Sequence, residues 1–206
     1  MNIYERYCLP HLIHLACSSA SIQQLRRKVV PWVRGRVLEV GFGSGLNIPF
    51  YDRSQVEFIW ALEPSEGMRR KSASRIARSN LEVRWLDLPG EEIPLEDHSV
   101  DTVLLTYTLC TIADWRQALM QMRRVLKPGG QLIFSEHGLA PDLSIVKWQN
   151  RINPYWGALA GGCNLNRAIP QLIEVGGFKI ENLEHSYLPA APRFAGYNYS
   201  GSAVSR

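Results

Sequence analysis

The sequence lacks the cysteine patterns of metal-binding and disulfide-rich proteins. It has only four cysteines, at positions 8, 17, 110 and 163, and no two of them form a C-x-x-C pair. Zinc-finger and thioredoxin-like interpretations therefore have no support, and no metal site is expected. Scattered single thiols are typical of a reducing compartment, so we expect a cytoplasmic protein.

The chain also lacks a long uninterrupted hydrophobic run. The charges of Glu5 and Arg6 cancel, so the first residues carry no net positive charge from their side chains. The apolar stretch that follows is broken by Pro10, His11 and His14. Such a stretch fits neither a signal peptide nor a transmembrane helix. We therefore expect no stable membrane insertion.

No internal repeat, low-complexity tract or linker interrupts the sequence. Its 206 residues are 46% hydrophobic and 20% charged, which is close to an average globular protein and excludes disordered and fibrous classes. One domain covering residues 1–206 is expected, with a helical cap at 1–34, a core at 35–137 and a final segment at 138–206. Nothing in the sequence indicates an oligomeric state.

Short apolar runs alternate with helical patterns along the chain. The predicted strands are 36–41, 57–62, 81–86, 100–106, 131–135, 178–185 and about 194–203. The predicted helices are 3–17, 21–33, 65–79 with Ser65 as N-cap, 114–126 beginning at Asp114, and 167–175. This alternation predicts an α/β fold, doubly wound around a mainly parallel sheet.

Two basic clusters lie on predicted helices, at residues 26–28 and 69–71. A charge cluster on a helix is most often a solvated face, and we interpret both clusters in that way. The net charge of +4 is modest. Because there is also no Asn-Pro-Pro-Tyr motif for holding a flipped base, we expect no nucleic-acid partner.

A glycine-rich loop directly follows the first predicted strand. Gly41, Gly43 and Gly45 alternate behind Glu39, and such glycines let a backbone turn tightly against a ligand. The dinucleotide fingerprint G-x-G-x-x-G would require glycine at position 46, which is Leu46. That departure, with the lack of a Tyr-x-x-x-Lys motif, disfavours a nicotinamide-dependent oxidoreductase.

Glu63 directly follows the second predicted strand, 18 residues after Gly45. In open α/β sheets, ligands bind beyond the carboxyl ends of the strands, and a carboxylate at this spacing can accept both hydroxyls of a ribose. The residues themselves therefore predict a ligand of the nucleoside type, the alternative being an ordinary surface carboxylate.

Four spaced motifs together resemble the class I S-adenosylmethionine-dependent methyltransferases, and in particular the type 11 group. They are the loop at 39–45, Glu63-Pro64, residues 90–101 and the Leu-Lys-Pro-Gly-Gly run at 126–130, and the resemblance covers residues 35–137. It implies a Rossmann-like seven-stranded sheet with an antiparallel last strand, and S-adenosyl-L-methionine as cofactor. The cofactor-binding residues that it implies are Glu39, Gly41, Gly43, Gly45, Asn47, Glu63, Pro64, Met68, Asp87, Leu88, Thr106 and Tyr107.

The resemblance also divides these residues among parts of the cofactor. It implies that the glycines pass beneath the methionine part, that Glu63 holds the ribose, and that Pro64 and Met68 border the adenine. For the adenine amino group it implies Asp87 or backbone groups around Leu88. Thr106 and Tyr107 would face the methyl donor and the acceptor.

A narrower similarity extends beyond residue 137. The chain resembles the family that methylates alkyl thiols at residues 108–110, Glu136-His137, Trp148-Gln149, Pro154-x-Trp156 and residues 162–165. Phospholipid N-methyltransferases share part of this pattern. A small, apolar thiol or amine acceptor is therefore expected. A quinone or phenol oxygen, a ring carbon, a lipid amine and a non-catalytic cofactor-binding protein stay open as alternatives.

His137 and Tyr107 are the candidate catalytic residues. Histidine is the natural proton acceptor near neutral pH, although an isolated histidine is more often a structural hydrogen-bonding residue. Cys110 is interpreted as pocket lining because no base is visibly paired with it, and Asn164 either fixes a loop or binds the substrate.

The last expectation concerns the cover of the site. Residues 138–166 are long for a connection, and they combine Trp148, Tyr155 and Trp156 with a glycine pair. We expect them to close over the carboxyl edge of the sheet together with the N-terminal helices, which carry Tyr4, Tyr7, Leu9, Leu12 and Ile13. The alternative is that both segments only cover the core.

Overall fold

The computed structural model describes residue 4, residues 8–189 and residues 191–206. Within them, seven strands form one sheet in the order β3-β2-β1-β4-β5-β7-β6. The strands are β1 (Gly35–Val40), β2 (Val56–Leu62), β3 (Val83–Leu86), β4 (Val100–Thr106), β5 (Leu126–His137), β6 (Phe178–Tyr187) and β7 (Tyr197–Ser205). The pairs among β1 to β5 are parallel, and β7 is antiparallel to both β5 and β6.

The strand order reverses its direction between β1 and β4, and this is the topological switch point of the sheet. The carboxyl ends of β1, β2, β4 and β5 meet at one edge because these strands are parallel. Crevices outside such edges are where open α/β sheets bind ligands. The predicted mainly parallel sheet with an antiparallel last strand is confirmed.

Six α-helices accompany the sheet in the described part of the chain. They are α1 (Leu9–Cys17), α2 (Ala20–Val29), α3 (Glu66–Ala77), α4 (Trp115–Val125), α5 (Leu143–Leu159) and α6 (Ile169–Val175). The two predicted N-caps are confirmed, since Ser65 accepts a hydrogen bond from the Met68 amide and Asp114 accepts one from the Gln117 amide. Each cap satisfies an amide that the first helical turn leaves without a partner.

Neighbouring side chains of the central strands enter cores on opposite faces of the sheet. Val37 and Leu104 belong to the core beneath α2, whereas Leu38 and Leu105 belong to the core that α4 and α6 cover. A strand buried on both faces needs a continuous apolar run, and this explains why β1 and β4 read as such runs in the sequence.

Two predicted segments need correction, and a third is confirmed in part. Residues 138–166 are not a plain connection, because the 17-residue helix α5 occupies most of them. The helix predicted at 21–33 ends at Val29 and continues as a 3-10 turn over Val30–Trp32. Of the helix predicted at 3–17, Leu9–Cys17 is α-helical as predicted, while residue 3 and residues 5–7, among them Tyr7, lie outside the described residues.

The pattern of α5 misled the sequence interpretation for a physical reason. The helix contains Pro154 and is amphipathic only weakly, since Leu143, Trp148, Tyr155 and Leu159 are exposed while Gln149 is its one fully buried side chain. A helix that buries a polar residue and exposes apolar ones has no clear 3.6-residue period. In the part of the chain described here, no helix combines the length and the apolar character that crossing a bilayer requires.

Candidate functional site

The glycine-rich loop lies at the switch point, directly beyond β1. Gly41, Gly43 and Gly45 have φ angles of 73°, 58° and 74°, which side chains rarely adopt. A Cβ atom at Gly41 would lie 2.2 Å from the Thr108 hydroxyl oxygen, whereas a Cβ at Gly43 would meet nothing closer than 3.8 Å. Gly41 is therefore fixed by packing, while Gly43 presents open backbone that a ligand can approach.

Glu63 lies against this open backbone. Its Oε2 accepts a hydrogen bond from the Gly43 amide at 2.9 Å, and its Oε1 accepts one from the Ser65 amide at 2.8 Å. Burial raises the pKa of this carboxyl, and the two amide hydrogen bonds oppose that rise. Each oxygen retains a lone pair, so the carboxylate can also accept two hydroxyls. The predicted juxtaposition of the loop and Glu63 is thus present.

Beneath the loop, Glu39 and Asn47 form a buried polar network. The Asn47 amide donates to Glu39 Oε1 at 2.7 Å and to the Thr106 hydroxyl at 2.9 Å, and the Tyr51 hydroxyl donates to Glu39 Oε2. Burial raises the pKa of Glu39 to about 7, against the hydrogen bonds from Tyr51 and Asn47. The network ties the ends of β1 and β4 together.

Arg26 completes the network, and here the sequence interpretation was wrong. Its guanidinium donates to Asn47 Oδ1 at 2.6 Å and to the Thr106 hydroxyl at 2.8 Å, so it is buried and does not belong to a solvated face. Because Arg26 precedes Val29 and Val30 by three and four residues, it shares their buried helix face. That spacing is the signal that could have identified it.

The proposed adenine side of the site is more open. Met68 is buried on the first turn of α3, and Pro64 before it is exposed. Asp87 is also exposed just beyond β3, while Leu88 is half-buried. These four residues follow the ends of β2 and β3, on the side of the site that Glu63 occupies.

Tyr107 turns the chain sharply at the end of β4, with a φ angle of 57°. Its hydroxyl donates to Asn198 Oδ1 at 2.7 Å, and its ring lies 5.5 Å from the guanidinium carbon of Arg26. On its other side the ring stacks on the imidazole of His137, with centroids 6.3 Å apart, and so leads to the part of the site that contains His137. Burial raises the pKa of Tyr107 far above its ordinary value, so its hydroxyl keeps its proton.

His137 contacts Cys163 rather than Cys110. The distance from His137 Nε2 to Cys163 Sγ is 3.1 Å, and the two sulfur atoms of Cys163 and Cys110 are 3.8 Å apart. Burial lowers the pKa of His137, but its contacts with Cys163 and Glu136 outweigh burial and raise it. The neighbouring Cys110 thiol and burial together raise the pKa of Cys163.

Glu136 fixes the chain that carries Cys110. This fully buried carboxylate accepts hydrogen bonds from the amides of Thr108 at 2.7 Å, Leu109 at 3.0 Å and Cys110 at 3.4 Å. Burial raises its pKa against these bonds. Asn164 holds the same segment from the other side, since its backbone and side-chain amides both donate to the Cys110 carbonyl. Asn164 therefore fixes a loop, one of the two roles expected for it.

The two covering segments contact each other above the loop. His14 on α1 is hydrogen-bonded to the Ser44 hydroxyl at 2.7 Å, and a Cβ atom at Gly161 would lie 2.8 Å from the Leu9 side chain. The Tyr4 hydroxyl also donates to the Leu159 carbonyl at 2.6 Å. α1 thus lies between the glycine-rich loop and the end of α5.

Trp156 connects α5 to Cys163 and, through it, to His137 and Cys110. Its indole N–H donates to Cys163 Sγ at 3.4 Å, and its ring packs edge-on against Phe194. The side-chain amide of Gln149 donates to the carbonyls of Gly138, Leu165 and Phe194, which anchors the helix to the edge of the sheet. Trp148 and Tyr155, the other predicted covering aromatics, are exposed.

The site therefore has two neighbouring parts. One part joins open glycine backbone to a carboxylate, and it fits a nucleoside that carries hydroxyls and a compact polar tail. The other part joins two thiols, an imidazole and aromatic rings, and it fits a small soft or apolar molecule. The sequence interpretation missed Arg26 and Tyr51 in the first part and the role of Cys163 in the second.

Known proteins resemble this chain in sequence and in fold. Residues 38–134 match the family described as methyltransferase domain. The thiol S-methyltransferase TMT1B of Rattus norvegicus is 32% identical over 169 residues, which are 78% of this chain and 68% of the relative. The thiol S-methyltransferase TMT1A of Homo sapiens is 32% identical over 171 residues, which are 78% of this chain and 69% of that relative.

A solved structure shares the fold at low sequence identity. It is a SAM-dependent methyltransferase of Leishmania major, with a TM-score of 0.69 and 13% identity, covering 97% of this chain and 80% of the other.

Proposed function

Since this chain belongs to the S-adenosylmethionine-dependent methyltransferases, we propose that it transfers a methyl group to the sulfur of a small, apolar thiol. S-adenosylmethionine supplies an electrophilic methyl group on a sulfonium sulfur. The chain therefore has to bind this donor, exclude water from it and align an acceptor behind the methyl group.

In the proposal, the first part of the site holds the donor. Glu63 accepts the ribose hydroxyls, and the open backbone at Gly43 lies against the methionine portion between Gly41 and Gly45. Support comes from the left-handed glycines and from the amide contacts that aim the Glu63 carboxylate at the loop. Pro64, Met68, Asp87 and Leu88 border the adenine in this assignment.

The proposed role of the buried network is to hold the donor site in shape. Asn47 is hydrogen-bonded to Arg26, Glu39 and Thr106, and Arg26 also donates to Thr106, so the network joins the loop to the end of β4. Such pre-organisation lowers the cost of aligning two reactants. These residues are positioning residues in the proposal, with Thr106 and Tyr107 between donor and acceptor.

Carboxylates that would recognise an ammonium acceptor are already engaged by the chain itself. Glu39 is bonded by Asn47 and Tyr51, and Glu136 by three consecutive amides. The groups that face the acceptor side are instead thiols and aromatic rings. A neutral apolar thiol fits these surroundings better than an amine does.

One observation carries the proposal most directly. The carboxylate–glycine edge, Cys110 and His137 lie at the ends of neighbouring strands with Tyr107 between them, and the loop after α5 brings Cys163 to His137 and Cys110. A donor and a soft acceptor bound there would be adjacent. The thiol S-methyltransferase relatives support the same acceptor class.

The wider arrangement is also part of the proposal. Residues 1–34 and 138–206 supply the cap and the acceptor side of one domain, around the cofactor-binding core at 35–137. The contacts of α1 with Ser44 and Gly161 support such a cap. The proposed compartment is the cytoplasm, because two thiols 3.8 Å apart remain reduced where glutathione and thioredoxin act.

The test uses matched acceptors with methyl-labelled S-adenosylmethionine. We expect labelled thioether from ethanethiol and octanethiol, with the longer chain favoured, and no product from ethylamine or ethanol. Phenol, a demethylated quinone and phosphatidylethanolamine cover the remaining acceptor classes. If the label goes to an amine, an oxygen or a ring carbon while both thiols stay unmodified, the thiol proposal is wrong.

A further inference from the structure

Three soft metal-ligand atoms converge on the acceptor side of the site. Cys110 Sγ, Cys163 Sγ and His137 Nε2 all lie within 4.8 Å of one another. In the described residues this is the one group of three histidine, cysteine or carboxylate side chains arranged in this way. Its members come from three separate places: the turn after β4, the end of β5 and the loop after α5.

The spacing of the two sulfur atoms fits chelation of one tetrahedral ion. With Zn–S bonds of about 2.3 Å and tetrahedral angles, two bound sulfurs lie about 3.8 Å apart. The distance from Cys110 Sγ to Cys163 Sγ is 3.8 Å. A Zn–N bond of about 2.0–2.1 Å requires a distance of about 3.5 Å from the imidazole nitrogen to each sulfur. His137 Nε2 is 3.1 Å from Cys163 Sγ and within 4.8 Å of Cys110 Sγ, so the ring has to shift when the ion binds.

We propose that Cys110, Cys163 and His137 bind a zinc ion, with the fourth coordination position open to the sulfur of the acceptor. Two thiolates and one imidazole are a ligand set that zinc uses in catalytic sites, where three protein ligands leave one position free. The sequence predicted no metal site because the ligands are far apart in the chain and no C-x-x-C pair marks them.

The surroundings of the group support a built site. The Cys110 backbone is held by Glu136 through its amide and by Asn164 through its carbonyl, which fixes one ligand before any ion binds. The indole N–H of Trp156 donates to Cys163 Sγ at 3.4 Å, and it would stabilise the thiolate there. The ring of His137 is stacked on Tyr107, which limits its rotation.

The fourth position falls on the accessible side. Cys110 is buried, whereas His137 and Cys163 are half-buried, so the group opens toward the space that a bound acceptor would occupy. This part of the inference rests on the proposed function. It also gives His137 a role different from the two expected for it, because a ligand nitrogen has no lone pair left to accept a proton.

The methyl transfer needs no reactant other than the donor and the acceptor thiol. The acceptor thiol binds as a thiolate, and its proton leaves to solvent. A sulfur lone pair then forms the new S–C bond while the S–C bond of the donor breaks and its electron pair stays on the donor sulfur. The acceptor becomes a neutral thioether, which binds zinc more weakly than a thiolate does and leaves the open position.

Metal binding is measured first and without turnover. The full chain, reduced and treated with a chelator, is titrated with zinc and with cobalt(II), which takes the same tetrahedral ligands. We expect one ion per chain, cobalt absorption bands of tetrahedral thiolate coordination, and zinc protection of the half-buried Cys163 from alkylation by iodoacetamide. No stoichiometric binding, or equal alkylation with and without zinc, would overturn the proposal.

Variants then assign the ligands. Cys110→Ser and Cys163→Ser are each expected to weaken zinc binding at least tenfold, while Cys8→Ser, on an exposed cysteine outside the group, leaves it unchanged. Circular dichroism and the affinity for S-adenosylhomocysteine establish that each variant is folded. Retention of zinc affinity by both folded variants contradicts the assignment, and the alkylation experiment decides the case if a variant does not fold.

The open position is tested with ethanethiol. Its addition is expected to shift the cobalt bands, whereas ethanol is not, and an unchanged spectrum at saturating thiol contradicts an open fourth position. The two proposals fail separately. Zinc binding without any thiol methylation refutes the proposed function alone, whereas full thiol methylation in excess chelator refutes the role of the metal alone.

Discussion

The donor part and the acceptor part of the site are built in opposite ways. Around the glycine-rich loop, Glu63 and Glu39 have hydrogen-bond donors of the chain itself on both oxygens. Across Tyr107, the thiols of Cys110 and Cys163 and the ring of His137 contact mainly one another. The hydrogen bonds of the donor part hold its carboxylates in one arrangement. The acceptor part instead presents two thiols and an imidazole, whose charge changes when a proton is lost.

The largest expected effect tests the rigidity of the donor part. In Gly41→Ala the new Cβ meets the Thr108 side chain at 2.2 Å, with a φ of 73°. We expect a loss of about 2–5 kcal/mol in the free energy of unfolding, from backbone strain and overpacking together. Gly129→Ala is the matched control, since φ there is 78° and nothing lies within 4 Å.

The control should lose only about 1–2 kcal/mol, which is the cost of the left-handed backbone alone. Urea denaturation of both variants gives the comparison. Equal losses would mean that the loop is not packed against Thr108 and that the donor part is not held in one arrangement.

A pH dependence tests the buried network. The pKa of Glu39 is about 7 in the folded protein against 4.5 for the free side chain, so the folded state binds this proton more tightly. The contribution of Glu39 to stability is therefore complete below pH 4.5, and it is lost as the pH rises through 7. The loss between these limits is on the order of 3 kcal/mol.

Glu39→Gln removes this titration. Compared with the unsubstituted protein, its free energy of unfolding should vary less between pH 4.5 and 8. Denaturation at several pH values measures the difference. Two curves that stay parallel over this interval would show that Glu39 is not held in a desolvated network.

A third prediction concerns the ribose contact. Glu63→Ala should weaken the binding of S-adenosylhomocysteine by about 1.5–3 kcal/mol, the range for hydrogen bonds to a charged group. Glu57→Ala is the control, because Glu57 is an exposed carboxylate on β2, the strand that Glu63 directly follows. Calorimetry compares the two, with NADH as a ligand that should not bind. An unchanged affinity in folded Glu63→Ala places the ribose elsewhere.

The smallest expected effect concerns the cap. Binding of S-adenosylhomocysteine should slow amide hydrogen exchange in residues 9–17 and 138–166, because α1 touches both the glycine-rich loop and Gly161. Helix α4, which packs in the core away from the loop, should exchange equally in both states. The same protection of the cap with and without ligand would leave it only the structural role of covering the core.

The two parts of the site differ in how well the sequence predicts them, because only the donor part is formed by residues that are close in the chain. The donor part is encoded locally, since Gly41, Gly43 and Gly45 are close together and Glu63 follows at a fixed distance. The positions of β1 and β4 could be predicted because a strand that is buried on both faces needs a continuous apolar run. Arg26 was misread because its neighbours Arg27 and Lys28 are exposed, and only the helix face distinguishes it.

The acceptor part is encoded by tertiary structure instead. Cys110, His137 and Cys163 are brought together by the order of β4 and β5 in the sheet and by the return of the chain after α5. Helix α5 itself was missed because it exposes Trp148 and buries Gln149, the reverse of an ordinary amphipathic pattern. The resemblance to known families indicated these residues but gave no contact between them.

The division of the site into two parts is tested most directly by steady-state kinetics on two variants, Glu63→Ala and Trp156→Ala. Glu63→Ala should raise KM for S-adenosylmethionine by about 10- to 150-fold and leave KM for ethanethiol unchanged. Trp156→Ala, which removes the N–H contact to Cys163, should raise only KM for the thiol, and Trp148→Ala on the exposed face of α5 should change neither. If both Glu63→Ala and Trp156→Ala raise both constants to the same extent, donor and acceptor do not bind in separate parts and the account is contradicted.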